Sequence, residues 1–292
     1  MTPRLRRLAL ALTACFGAAS ALVPTLASAS MGDKDVARMV SFGGACAKCE
    51  LSGRKLTGAQ FVGANFAGAS LVGSDLRDAR FMGANFAGAD LSRADLSDSQ
   101  MVGSNFGKAV LTDAKLRAVE AKGVNFGSAN LARADLRDSQ AAGSNFSRAT
   151  LTDAKLQASD MPAANFSRTN ARGANFRDSS LNGATFTAGA FDNASFRDAD
   201  LSAANLAGAT FSGADFRGAD LSGANIVGVD LSRARGLDQD QLDEACADNS
   251  TKTPSGLVAR SCRGGARIRY VAPAPPAPPA PPAASRYLVA VD

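Results

Sequence analysis

Large apolar residues recur along this chain at a fixed interval. From Leu51 to Leu231 every fifth position belongs to one register of 37 places, filled by 17 Leu, 14 Phe, 2 Met, 3 Ala and Ile226. The residue two before each place is small, usually Ala and otherwise mostly Ser, Val or Thr. The residue directly before it is often Asp or Asn. No insertion or deletion disturbs the count, so an internal repeat has to be read before any secondary structure. Period five suits neither common element. On a helix five residues advance about 500°, and successive apolar side chains step around the cylinder by about 140°. On a flat strand an odd period sends them to opposite faces. Leu and Phe share one interior only if the chain turns a corner in every repeat. Gly, Asp and Asn near those corners tolerate turn dihedrals.

A longer period sets the coil. The register cycles through Leu51, Leu56, Phe61, Phe66 and then Leu71, Leu76, Phe81, Phe86. Steps of twenty give one column of Phe66, Phe86, Phe106, Phe126, Phe146, Phe166 and Phe186, and another of Leu56, Leu76, Leu96, Leu116, Leu136 and Leu156. Four repeats therefore make one coil, and like residues stack coil on coil. The hexapeptide from Leu111 to Leu116 recurs from Leu151 to Leu156, which points to growth by duplication of two coils.

The string seen in Ala89-Asp90-Leu91 and Ala84-Asn85-Phe86 resembles the pentapeptide repeat family, over about 185 residues in unbroken register. The resemblance implies an all-β fold, a right-handed quadrilateral β-helix of about nine coils, with the central Leu or Phe and the preceding small residue inside. Departures are Ala121, Ala141 and Ala171 at central places and Gly189 at a small one. Coils at strand spacing, about 4.8 Å, give a rod of roughly 45 Å. Ala121 and Ala141 share a face between Met101 and Met161, with Val119 beside the first and Ser139 beside the second. The rod is expected to be thinnest and softest there.

The chain divides into a signal peptide at 1–29, an N-terminal cap at 30–45, the repeat β-helix at 46–235, a helical cap with a disulfide at 236–265 and a Pro-rich tail at 266–292. Residues 1–30 place Arg4, Arg6 and Arg7 before an apolar stretch that ends in Ala27-Ser28-Ala29, the pattern of an export signal cleaved near Ala29. Leu12-Thr13-Ala14-Cys15 also fits a bacterial lipobox, which would make Cys15 a lipid anchor and the only membrane tether. At the other end the phase of five stops after Leu231. Asp238 is placed as an N-cap with Gln241 at N3, and Leu237 and Leu242 are spaced as a staple, so a capping helix is expected over 238–248. Residues 33–42 are read as a weaker cap. Residues 272–283, APAPPAPPAPPA, read as a polyproline II spacer or as a ligand for a Pro-binding domain.

Cys46 and Cys49 continue the inward phase backwards from Leu51, and Cys246 and Cys262 lie beyond the far end. A disulfide needs Cα atoms within about 7 Å, so a rod of that length leaves only Cys46–Cys49 and Cys246–Cys262 as intrachain bonds. It also rules out a four-Cys zinc site in one chain. A redox role for Cys46-x-x-Cys49 is the alternative to a structural one. Export would bring these thiols into an oxidising compartment.

Composition removes much chemistry. The chain has no His and no Trp, which excludes a His general base, His-ligated zinc and c-type haem attachment. The formal charge is +5, but residues 51–235 hold 20 basic and 18 acidic residues. That balance fits neither a nucleic-acid binder nor an acidic mimic of one. No catalytic, cofactor or metal site is expected. One corner column reads Arg77, Arg117, Arg137, Arg177, Arg197 and Arg217, followed at several steps by Asp. It is either a self-compensated ladder or a docking strip for an anionic envelope component. Val62, Met82 and Val102 beside Gly63, Gly83 and Gly103 form a candidate protein-contact patch. The column Asn65 to Asn165 is expected to form a hydrogen-bonded ladder. The family resemblance implies either scaffolding or topoisomerase inhibition by imitation of DNA, which needs an acidic cytoplasmic rod. The expectation is a non-enzymatic exported scaffold of a bacterial envelope, with a protein partner and a homodimer left open.

Overall fold

A computed structural model of the chain describes residues 43–259 and 261–262. The signal peptide with Cys15, the cap expected at 33–42 and the Pro-rich tail lie outside the described residues. Each repeat forms one edge of a four-cornered coil. The residue before each central one pairs in parallel with the residue twenty further on: Asn65 with Asn85, Ser70 with Asp90, Asp75 with Asp95, Arg80 with Gln100. The ladder runs from Ala45–Asn65 to Asp215–Arg235 without a slip. Its bonds alternate in direction along each edge. The Leu71 N–H donates to Asp90 O at 2.7 Å, and the Asp90 N–H donates to Ala69 O at 2.9 Å.

The corners explain the period of five. A central carbonyl accepts from the N–H three residues on, as when Ala84 donates to Phe81 at 2.8 Å. The third turn residue takes positive φ, 64° at Gly83, which is what a type II turn requires. Residues with a Cβ also stand there, including Asp78 at 58° and Arg148 at 58°. Each such placement costs on the order of 1 kcal/mol. The ladder on one side and the buried neighbours on the other hold the corner in place regardless.

The core is a set of stacked columns. Phe rings sit one above another at 4.8 Å for Phe66–Phe86, 4.7 Å for Phe86–Phe106 and 5.0 Å for Phe126–Phe146. A second stack starts on the opposite side of the coil, with Phe176–Phe196 at 5.0 Å and Phe196–Phe216 at 5.3 Å. Each buried Leu or Phe contributes about 1.5–3 kcal/mol against the cost of ordering the chain. Some hydroxyls at the small places are satisfied by the coil before, as Ser104 Oγ donates to Phe81 O at 2.6 Å and Thr169 Oγ1 to Phe146 O at 2.7 Å, and others by their own coil, as Ser74 Oγ donates to Leu71 O at 2.8 Å.

The segment around Ala121 and Ala141 differs from its neighbours. Buried Val119 and Val124 flank Ala121, whereas buried Ser139 and Ser144 flank Ala141. Coil spacing does not adjust: Ala141 N to Asp160 O and Phe146 N to Asn165 O are both 2.7 Å. The corner turns at Leu116, Leu136 and Leu156 have no closing backbone bond among the described residues, and the buried Ser139 hydroxyl has no partner there. We expect Ala141→Leu to leave stability equal or higher in urea unfolding, because the added side chain meets small neighbours. A loss above about 2 kcal/mol would show the site to be full.

The C-terminal edge is closed by helix α1, Gln239–Glu244. Asp238 caps it: its side chain accepts from the Gln241 N–H at 2.9 Å, and Gln241 Oε1 accepts from the Asp238 N–H at 2.9 Å. The helix is shorter than the expected 238–248. Ala245 turns extended (φ −83°, ψ 156°) because Cys246 re-enters the ladder opposite Asn225. Lys252 then pairs with Asp230. The helix thus replaces one edge of a final coil. Leu242 is buried, and Gln241 Nε2 donates to Ala219 O at 2.7 Å, a carbonyl left open by the end of the ladder, and to Phe216 O at 2.9 Å, which also accepts the Ala219 N–H.

Candidate functional site

The interior is lined by stacked apolar side chains, so function has to be sought on the outside. The outward residues fall into straight columns because every coil has twenty residues. Three columns and the two ends matter.

The first is the Asn ladder. Asn85 Nδ2 donates to Asn65 Oδ1 at 3.1 Å, Asn105 to Asn85 at 3.1 Å, Asn125 to Asn105 at 2.9 Å and Asn145 to Asn125 at 3.0 Å. Each Oδ1 also accepts a backbone N–H two residues on: the Gly107 N–H donates to Asn105 Oδ1 at 3.0 Å. The side chains therefore fix both the coil-to-coil register and the local turn. The amide-to-amide bonds run as far as Asn145, one coil short of the expected Asn165; Thr185 then interrupts the column, and Asn225 bonds Asn205 again at 3.2 Å. The candidate contact patch borders the same face: Met82 is 45% exposed, while Val62 and Val102 are half-buried. The two features, separate in the sequence reading, are edge and centre of one surface.

The second column is Arg77 to Arg217. Arg77, Arg137 and Arg217 each grip the Asp two residues back with two nitrogens, Asp75 at 2.9 and 2.7 Å, Asp135 at 2.8 and 2.5 Å, Asp215 at 2.9 and 2.5 Å. Arg117 reaches Asp138 on the next coil at 3.1 Å, Arg177 pairs Asp178 at 3.1 Å and Arg197 pairs Asp198 at 3.2 Å. All six guanidinium groups already hold a carboxylate. Hydrogen bonds from the Arg77 side chain bring the Asp75 carboxyl down to about 2, against the opposing effect of its partial burial. Its folded value lies below its unfolded one. The stabilisation from ionised Asp75 is thus present above about pH 4 and is lost as pH falls through about 2. We expect Arg77→Gln to move the Asp75 carboxyl transition, followed by carbon NMR, up toward 4. An unmoved transition would show that the pair does not form in solution.

The cysteines occupy the two ends. Cys46 and Cys49 are paired at disulfide distance across a corner, with Cα atoms 5.2 Å apart. Cys46 is buried, while Cys49 is half-buried because its coil has no described neighbour on one side. Cys246 and Cys262 are likewise paired, with Cα atoms 4.8 Å apart, beside the bridge Ala247–Ser261. Among the described residues no group of three His, Cys, Asp or Glu gathers to hold a metal ion. A shallow groove near Arg172, Thr210 and Ser212 is dominated by Asp192, which already accepts from all three.

Sequence reasoning missed the third column, Lys108, Arg148 and Arg168, at the corner that follows the Asn ladder. They are exposed and make no ion pair among the described residues. Reading the third turn position in steps of twenty would have found them.

A parallel four-cornered coil with Leu and Phe inside and polar ladders outside defines a repeat solenoid. A family model described as pentapeptide repeats matches eight copies between residues 46 and 233, and the chain belongs to the pentapeptide repeat family. Among solved structures it is similar to HetL, a pentapeptide repeat protein involved in heterocyst differentiation regulation in Nostoc sp. strain PCC 7120. The two are 24% identical over 78% of this chain and 99% of that one, with a TM-score of 0.47. A pentapeptide repeat protein of the Arabidopsis thaliana thylakoid lumen is 30% identical over 38% of this chain and 68% of its own, with a TM-score of 0.14. Trypsin-treated QnrB1, a plasmid-mediated fluoroquinolone resistance protein, is 24% identical over 62% and 91%, with a TM-score of 0.26. None of the curated protein sequences matches this chain.

Proposed function

We propose that the protein is a non-catalytic, right-handed pentapeptide scaffold exported to a bacterial envelope, where it presents its faces to a partner. The observation that carries this reading is the pairing of all four described cysteines, one pair at each end of the repeat. Disulfides persist in oxidising compartments and are rare in the cytosol. The basic, apolar and small-residue order of residues 1–29 supports the same address. The rigid ladder, its corners fixed by Asn and Asp side chains, suits a display surface. Imitation of DNA is disfavoured, because the carboxylates of the Arg column are neutralised by their partners.

Cell fractionation with the intact mass of the mature chain tests the reading. A chain beginning near Ser30 in the envelope or medium, with four oxidised cysteines, is expected. A lipid-modified Cys15 would change soluble export to anchoring. An intact Met1 in the cytosol with free thiols would overturn it.

A further inference from the structure

Across nine consecutive coils one face of the rod carries no carboxylate of its own, and Glu244 and Asp248 meet it only at the C-terminal end, through Ser222 and Gly228. From Val62 to Gly68, and in the seven equivalent residues of each of the eight following coils, there is neither Asp nor Glu. Elsewhere between 51 and 235 the charges are mixed and many are paired. Setting aside Lys108, Arg148 and Arg168 leaves 17 basic residues against 18 acidic. These three stand in line on the edge of that face, and the strand residues that follow them, Val110, Thr150 and Asn170, are uncharged. The nearest carboxylate on the coil before Lys108, that of Asp90, accepts the Ser92 N–H at 2.9 Å and its hydroxyl at 2.6 Å. The three cations hold positive φ of 60°, 58° and 59°, a conformation that Gly68, Gly88 and Gly208 occupy in the same column without strain. The ladder imposes that dihedral at every corner, so what sets these three apart is a long cationic side chain with no ion-pair partner among the described residues, open to something outside the molecule.

The geometry narrows what that is. The cations repeat at the coil rise, about 4.8 Å between Arg148 and Arg168 and twice that from Lys108 to Arg148. Beside them the Asn ladder offers amide groups at the same rise on a flat surface. An extended peptide places same-side residues about 6.6 Å apart, which drifts out of step within two coils. A nucleic-acid single strand is held by aromatic stacking, and every Phe from Phe61 to Phe216 is buried. A pyranose unit in an extended chain advances by about one coil, carries at most one carboxylate, and offers hydroxyls to amides.

We propose that the Asn-ladder face and its edge of Lys108, Arg148 and Arg168 bind an extended acidic polysaccharide of the uronic-acid type, laid along the rod axis. The choice of an envelope polymer rests on the export reading; binding itself does not, so the two fail separately. The test is calorimetric titration of the purified full chain with alginate oligosaccharides at low salt. Dextran and phosphatidylglycerol vesicles serve as neutral and lipid controls. Ser128 already occupies this corner, so Lys108→Ser, Arg148→Ser and Arg168→Ser together keep the fold, which circular dichroism checks. This triple variant is expected to weaken alginate binding about tenfold and to flatten its salt dependence. The paired-column triple Arg137→Ser, Arg177→Ser and Arg197→Ser is expected to change binding less than about threefold. No alginate binding by the wild-type chain, preference for vesicles or dextran, or equal loss in both triple variants would overturn the proposal.

Discussion

Truncating Phe146 to Ala is expected to lower the unfolding free energy by about 3–5 kcal/mol. The ring is fully buried between Phe126 at 5.0 Å and Phe166 at 4.9 Å. Its removal takes a contact from both neighbours and leaves a hole the coil cannot close. The backbone there is fixed by Phe146 N to Asn165 O at 2.7 Å and by Thr169 Oγ1 to Phe146 O at 2.7 Å. The preceding central residue is Ala141, so the new cavity adjoins the least filled part of the core. A stack of coils is stabilised by nearest neighbours, and weakening one interior coil uncouples the two halves. We therefore also expect a broader urea transition than in the wild-type chain. A loss below about 1 kcal/mol with an unchanged slope would mean that the ring is not enclosed.

The phase of five made the core legible because it is a covalent count. Leu136 and Phe146 need no partner elsewhere in the chain to declare which way they face. Steps of twenty likewise put Asn85 beside Asn65 by the count alone. The Arg column was legible as a column but not in its pairing. Whether Arg117 turns to Asp138 or Arg77 to Asp75 depends on rotamers within a coil, and one-dimensional spacing holds no such information. The end of α1 was misplaced for a related reason. Helix propensity continues past Ala245, while the exposed ladder edge at Asn225 recruits Cys246 into a parallel bridge. The cationic corner escaped because turn positions tolerate many residue types. Its meaning lies in what surrounds it, namely a face with no carboxylate of its own across nine coils and no ion-pair partner among the described residues.

Replacing Gln241 with Leu should open the C-terminal end while leaving the middle intact. The side chain has nearly the same volume, so packing is kept and the loss is polar. Gln241 Nε2 serves Phe216 O at 2.9 Å and Ala219 O at 2.7 Å, and its Oε1 completes the cap on Asp238 N at 2.9 Å. Leu leaves the buried Ala219 carbonyl with no donor and halves the capping box. Unmaking bonds while their partners stay buried costs about 1–3 kcal/mol each, so a local loss of about 2–4 kcal/mol is expected. Hydrogen exchange should quicken at the amides of residues 216–235 and in α1, with those near Phe106 unchanged. The Cys246–Cys262 link ties the 247–261 loop to itself and does not restore the missing donor. An uncovered coil edge is a template for another copy, so the variant should also sediment faster with rising concentration. Unchanged exchange at 216–235 would mean that the last coil is held by its own ladder and that the helix only decorates it.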